Sequence, residues 1–519
     1  MTTNLDISIN PKVHANPENY PFLFDLNLDK DVIRRLSNHL DGIVSGDDEI
    51  LVTPIAKERN PLDILRAWDK IYNSKQSKIN SVLSELEQSN RSKFGPRSIS
   101  KPWVERMDSC FEYFMNRKRN ISLHKWSYIA SNNGTLRPLS TDNASKFLKN
   151  STNSGLPYYA RKGKVKRRTV ERFDDLLNRN DPCILFTRTQ ENNKTRNVWG
   201  YPMAETLEEM KYYRPLLDYQ SRLPWRSALL GPRFVDESIT KMILNLDSSN
   251  ESLVSVDFSS YDASVCDELE KYAFDYIASL FQPRFRDEIK SIFKTFNTIG
   301  LITPTGVIKG NHGVPSGSTF TNEVDSIVQY IISMNTGFVS SDKIQIQGDD
   351  GAYCIKTSDL NNFARAFTDA GLHFNYDKSY ESQDYVVYLQ NLYHKDYINN
   401  NLIGGIYPTY RALNRIIYQE RWADFEDFDL PGIDYYSIRT LSILENCKHH
   451  PLFEDFVKFI FSLDKYNLRF SHKNLVRYDT MTQQGSGSGG VINNQYGDNV
   501  RGIKSFRSYN LIKDLVTKH

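Results

Sequence analysis

The chain has 519 residues, 39% hydrophobic and 25% charged, with 30 Tyr and 28 Phe. This is the profile of a globular protein large enough to build its core without disulfides. A formal net charge of +2 is no argument for nucleic acid, but it excludes none, because binding needs a local basic groove rather than a basic total. The cysteines Cys110, Cys183, Cys266, Cys354 and Cys447 are scattered and form no CxxC pair. That excludes a zinc ribbon and a disulfide framework and fits a reducing compartment. Met1 to Pro21 has no apolar signal-peptide core, and the apolar stretch Ile327 to Met334 is far short of the ~20 residues that span a bilayer. A soluble, intracellular protein with no membrane partner is expected.

In chain order, residues 1 to about 60 read as polar and irregular, and Leu62 to Leu86 as helical. The most basic stretch is 160–200, with Arg161, Lys162, Lys164, Lys166, Arg167 and Arg168, then Arg188, Lys194 and Arg196. Residues 252–258 read as a short, largely apolar strand, 267–281 as an amphipathic helix and 318–334 as another helix. The segments 343–347 and 351–356 form two strands of a hairpin around Gly348-Asp349-Asp350, and Ser358 to Ala370 is helical again. Gln483 to Gly490 is a flexible linker by composition, ahead of a modest C-terminal tail.

Phosphoryl transfer needs its developing charge held and its nucleophile aligned. A pair of hard divalent cations does both, and such cations take carboxylate oxygens from separate segments. Asp257 ends an apolar strand whose hydrophobic pattern it does not serve. Asp349 and Asp350 share a tight turn and repel one another unless a cation or donor intervenes. Gly348 supplies the backbone freedom of that turn. Asp262 lies beyond the strand, near a helix start, placed to cap the helix or to accept a hydrogen bond from a ribose hydroxyl. Further on, Gly313-Val-Pro-Ser316-Gly317-Ser-Thr-Phe-Thr321-Asn-Glu-Val-Asp325 runs from a glycine loop into a helix. Thr321 and Asp325 are four apart and share a face. Such a face suits a sugar edge, and the 2′-hydroxyl is what distinguishes RNA from DNA.

The order Asp-x4-Asp, Ser-Gly-x3-Thr, Gly-Asp-Asp resembles motifs A, B and C of the right-handed viral RNA-dependent RNA polymerases. The resemblance implies an α+β fold of fingers, palm and thumb, the palm an antiparallel sheet flanked by helices, closed by N-terminal fingertips. It implies Mg²⁺ or Mn²⁺ held by Asp257, Asp349 and Asp350, and ribose and NTP recognition by Asp262, Ser316, Gly317, Thr321 and Asp325. Positive-strand enzymes usually have Asn in place of Asp325. The form Val-Pro-Ser-Gly-Ser-x-Phe-Thr-x3-Asp-Ser resembles the picobirnavirus and partitivirus polymerases of double-stranded RNA viruses.

Outside this core, Arg188, Lys194 and Arg196 resemble motif F, which binds the triphosphate. Thr152, Ser154 and Gly155 resemble motif G at the template entrance, and Lys378 resembles the motif D lysine, a catalytic general acid for departing pyrophosphate. Val387 to Asn391 resembles motif E. The implied organisation is 1–150 N-terminal extension and fingertips, 151–250 fingers, 251–395 palm (part of 265–312 returning to the fingers), 396–480 thumb, and 481–519 linker and tail. The tail either folds back into the cleft or stands as a disordered or capsid-contacting arm. The expected partners are RNA template and product, NTPs and a capsid protein, for a monomer working in the virion interior and host cytoplasm. Two rivals are a reverse transcriptase, disfavoured by Gly348 and Asp262, and a non-catalytic RNA-binding or capsid-associated protein with a palm fold, disfavoured by three intact carboxylates.

Overall fold

A computed structural model describes residues 19–115, 121, 123, 134–375, 379–423, 425, 429–484 and 500–517. At its centre is a four-stranded antiparallel sheet in the order Tyr380–Ser382, Glu251–Val256, Asp350–Lys356, Ile344–Gln347. Every residue of Glu251–Val256 is buried, Leu253, Val254 and Val256 together with Glu251, Ser252 and Ser255. Val254, Val256, Tyr353 and Ile355 face a large core filled from the helices Asp267–Leu280, Thr321–Thr336 and Leu360–Asp369 by Phe274, Ile277, Ile327, Phe363 and Phe367. Leu253, Ala352 and Cys354 face the opposite way, against Val235, Ile239 and Ile243 of the Pro232–Leu244 helix and Val386 and Tyr388 of a hairpin. That hairpin pairs Tyr385–Tyr388 with Asn391–His394, and its turn residues Leu389 and Gln390 both have positive φ.

A second sheet has the order Thr195–Gly200, Cys183–Thr189, Leu301–Thr303, Gly306–Ile308. Cys183 and Leu301 pair in parallel, so the chain leaves this sheet, builds the first palm strand, and returns. Against this sheet packs the helix Lys30–Ser45, whose Val32, Ile33, Leu36, Leu40 and Ile43 are buried with Ile184, Leu185 and Leu301. The expectation of an irregular N-terminus therefore fails over 30–45. Its apolar residues recur at helical spacing, and of the Asn and Pro residues that argue for irregularity only Asn38 lies within the helix.

The Leu62–Leu86 pattern forms two helices, Pro61–Ser74 and Ser81–Arg91, separated around Gln76–Lys78. Trp68 and Tyr72 pack with Tyr410, Ile416, Ile438 and Phe456 of the C-terminal helices. One N-terminal segment thus touches the second sheet and the C-terminal helical body. Arg97 joins the two. It contacts Glu191 at 3.1 Å, in the turn between the Cys183–Thr189 and Thr195–Gly200 strands, and pairs also with Glu420.

The helix His472–Gln484 includes Gln483 and Gln484, the first two residues of the expected linker. Past it, Ile503, Phe506 and Ile512 are buried in the C-terminal core, and Ser508 donates to Glu445 at 2.9 Å. Residues 500–517 are therefore docked on the helices Gly432–Asn446 and Phe453–Leu463. The cysteines are buried free thiols. No described helix is long and apolar enough to cross a membrane.

Candidate active site

Register brings the acids together. Val256 pairs with Gly351, which sets Asp257, just past the strand end, opposite Asp350. Gln347 pairs with Asp350, so Gly348 and Asp349 form a two-residue turn. Gly348 has φ of 64° and Asp349 is not in the positive-φ region, the pattern of a type II′ hairpin. Asp349 is exposed and Asp350 half-buried. Enclosure by protein, then the charges of Asp349 and Asp257, push the Asp350 carboxyl well above the usual range, and Arg411 acts against them. Asp257 accepts from Asn375 Nδ2 at 3.2 Å, while its backbone is held by Asn375 and Ser379. Among the described residues no group of three His, Cys, Asp or Glu side chains forms a ready metal cage. The donor set is oxygen only and its acids repel, the chemistry that suits a hard divalent cation.

The turn is gripped from behind by one polar stripe of the Thr321–Thr336 helix. Ser326 Oγ accepts from Gly348 N–H at 2.7 Å, and Gln329 Nε2 donates to the carbonyls of Gly348 and Asp349 at 3.3 and 3.0 Å. Asn322 Oδ1 accepts from Gln347 at 2.7 Å, and Ser333 donates to Tyr353, whose hydroxyl donates to Gln329 Oε1 at 2.7 Å. Spacings of four, three and four put these residues on one face. The stripe was visible as polar positions in an apolar helix, but nothing in the sequence said what it touches.

Asp262 and Asp325 converge. The two carboxyls are close enough to act on each other's protonation. Burial and then Asp349 push Asp262 up to about 7, with Arg196 opposing. Burial, Asp262, Asp349 and Glu270 raise Asp325 well above its usual range. A protonated carboxyl at 325 donates as an asparagine amide would. The loop before Thr321 lies against the second sheet: Ser316 Oγ donates to Asn197 O at 3.3 Å and accepts from Trp199 N–H at 3.4 Å. A Cβ on Gly317 would fall 1.5 Å from the Trp199 carbonyl oxygen, so only glycine fits. Thr321 Oγ1 donates to Pro315 O at 2.7 Å and Ser318 O at 3.0 Å, bracing the loop.

Arg188 and Arg196 are directly opposite across their two strands, and both are exposed. Like charges in that position cost stability, and Arg196 also lies within electrostatic reach of Asp262. Lys194 follows Asn192 and Asn193, whose positive φ angles make the tight turn.

At the 152–155 loop, Thr152 O accepts from Lys162 N–H at 2.8 Å and Gly155 has φ of 60°. Ser154 is fully buried, and its hydroxyl accepts from Ala160 N–H at 3.1 Å, so its side chain shapes the loop. Lys378 lies outside the described residues. Sequence reasoning missed Asn375 and Arg411, whose parts in the site arise only from tertiary contact.

This constellation has counterparts. A model of the family "Viral RNA-dependent RNA polymerase" matches residues 135–459. The chain belongs to that family. The polymerase is 29% identical over 466 residues to the "Potential RNA-dependent RNA polymerase" of a human picobirnavirus, covering 83% of this chain and 86% of that one. It is 26% identical over 313 residues to the "RNA-directed RNA polymerase" of Cryptosporidium parvum virus 1, covering 53% and 58%. The crystal structure of the RNA-dependent RNA polymerase of a human picobirnavirus superposes with a TM-score of 0.78 at 26% identity, covering 92% of this chain and 96% of that one. An insertion-loop deletion mutant of that enzyme gives 0.77. The polymerase is thus a right-handed, RNA-directed nucleotidyltransferase of the double-stranded RNA virus type.

Proposed function

We propose that the polymerase adds nucleotides to RNA at the carboxylates Asp257, Asp349 and Asp350, and that these three hold Mg²⁺ or Mn²⁺. The supporting observation is the register that sets Asp257 opposite Asp350 beside the Gly348–Asp349 turn. When bound, the cations supply activation of the RNA 3′-hydroxyl and neutralisation of the triphosphate. Arg188, Lys194 and Arg196 bind the triphosphate, the two arginines by paired hydrogen bonds to phosphate oxygens. Asp262 and Asp325 hydrogen-bond the ribose 2′-hydroxyl, and Ser316, Gly317 and Thr321 shape the loop beside it. Thr152 and Gly155 line the template entrance, and Lys378 protonates the leaving pyrophosphate.

In this reading the segment that spans the second sheet and the C-terminal helices is the fingertip bridge between fingers and thumb. The docking of 500–517 on the helical body favours a structural tail over a capsid-contacting arm. Capsid association, a monomeric state and residence in the virion interior and host cytoplasm complete the proposal. In the test, purified chain is given RNA template with NTPs or dNTPs and a divalent cation. Asp349→Ala is expected to abolish incorporation while RNA binding persists. A reverse transcriptase would prefer dNTPs, and a non-catalytic protein would show no cation-dependent incorporation for the mutation to remove.

A further inference from the structure

Glu209 lies on the Met203–Gln220 helix, apart from every motif above, and is 3% exposed. Its carboxylate takes three hydrogen bonds from the loop that enters the Thr321–Thr336 helix. Ser318 Oγ donates to one oxygen at 2.7 Å, and Thr319 N–H and Oγ1 donate to the other at 2.7 and 2.6 Å. Ser318 Oγ in turn accepts from Phe320 N–H at 3.0 Å, which extends the relay to the helix start. Burial pushes the Glu209 carboxyl up to about 7, while these donors and the Lys162 ammonium act against that rise. Lys162 begins the Lys162–Glu171 helix beside the 152–155 loop. An acid enclosed this way costs stability unless its partners repay the lost water. An apolar residue would fill the space without needing partners, so the carboxylate is explained by what it holds.

What it holds is one side of a loop whose other side is pressed on a strand. Ser316 bonds to Asn197 and Trp199, and Gly317 abuts the Trp199 carbonyl. We propose that Glu209 is a positioning residue for nucleotide addition: by fixing Ser318 and Thr319 it sets where Ser316, Gly317 and Thr321 meet the incoming nucleotide. The inference rests on reading Ser316–Thr321 as a nucleotide-recognition loop.

The test is single-nucleotide addition by the full chain on a primed RNA template. Glu209→Gln keeps the contacts, since its carbonyl oxygen accepts both Thr319 donors and its amide donates to Ser318 Oγ. Glu209→Leu fills the same space and takes none. Glu209→Leu is expected to raise the KM for NTP ~10-fold or more and to narrow the NTP-over-dNTP preference, with a smaller loss of kcat, while Glu209→Gln stays within about threefold of wild type. Thr319→Val should carry part of the same defect, Thr319→Ser should not, and the Glu209→Leu/Thr319→Val pair should be no worse than Glu209→Leu alone.

Unchanged KM and preference in Glu209→Leu overturn the proposal, as does a loss confined to kcat and active fraction, or full additivity of the two defects. If Glu209→Leu does not fold, the Thr319→Val and Thr319→Ser comparison decides alone, and equal activity of the two overturns it. Ser316→Ala and Thr321→Ala with unchanged KM and preference would instead remove the recognition reading of the loop.

Discussion

Replacing Gln329 by leucine removes the grip on the Gly348–Asp349 turn while keeping nearly the same volume. Gln329 is fully buried. The substitution strips the Gly348 and Asp349 carbonyls of donors at 3.3 and 3.0 Å and the Tyr353 hydroxyl of its acceptor at 2.7 Å. Each buried polar group left unpaired costs roughly 1–3 kcal/mol. The Tyr353 hydroxyl can turn to Ser333 Oγ, 3.0 Å away, so a total of about 2–6 kcal/mol follows from the two carbonyls. A turn released by that much moves its carboxylates, and a misplacement of ~1 Å costs ~100-fold in rate. The assay is single-nucleotide addition at saturating NTP across a divalent-cation titration, with a thermal melt alongside. Expected are a kcat ~100-fold down, a higher half-saturating cation concentration and a nearly unchanged KM for NTP. Gln329→Glu should be worse, because it turns an acceptor toward two carbonyls and adds charge beside Asp349 and Asp350. Wild-type kcat and cation dependence in Gln329→Leu would refute the reasoning.

Gly317→Ala drives a methyl into the Trp199 carbonyl oxygen, 1.5 Å from the ideal Cβ. Elongation on a primed template should fall ~100-fold with circular dichroism unchanged. Arg188→Ala relieves the repulsion with Arg196, so the melting temperature should hold or rise slightly. Loss of one charge-assisted phosphate contact should raise the KM for NTP ~10-fold. Glu205 is pushed from its ordinary 4.5 up to about 8 by burial, then by Glu209, Glu208 and Asp181. The folded state holds this proton at pH values where the unfolded chain has released it. Stability is therefore full below about 4.5 and falls as pH rises toward about 8. Melting temperatures of the metal-free protein should drop between about pH 6 and 8, and Glu205→Gln should flatten the drop.

The Gly348–Asp349 turn was legible because its chemistry and local pattern coincide. The hairpin of Ile344–Gln347 and Asp350–Lys356 lies within a residue or two of its expected place, and Asp257 sits where an apolar strand ends. The Lys30–Ser45 helix was overlooked although its period was present, because flanking Asn and Pro dominated the reading. Gln483 and Gln484 look like linker yet finish a helix. The grip of Gln329 on the turn, the bonds of Asn375 to Asp257 and the convergence of Asp262 and Asp325 were illegible for another reason. Each is a contact between segments remote in sequence, and a side chain's partner there depends on register and packing rather than on its neighbours.

The crossing from the second sheet to the palm and back has a consequence for biosynthesis. The central strand Glu251–Val256 waits for Asp350–Lys356 and Tyr380–Ser382 before either of its edges is paired. Likewise the Cys183–Thr189 strand lacks its parallel neighbour until Leu301 has been made. With partners roughly a hundred residues downstream, nascent chains on the ribosome carry bare, apolar strand edges for seconds, the condition that favours chaperone capture or aggregation. Chains that stop before residue 350 cannot complete the central sheet, so yield on expression should depend on the rate of synthesis through this stretch.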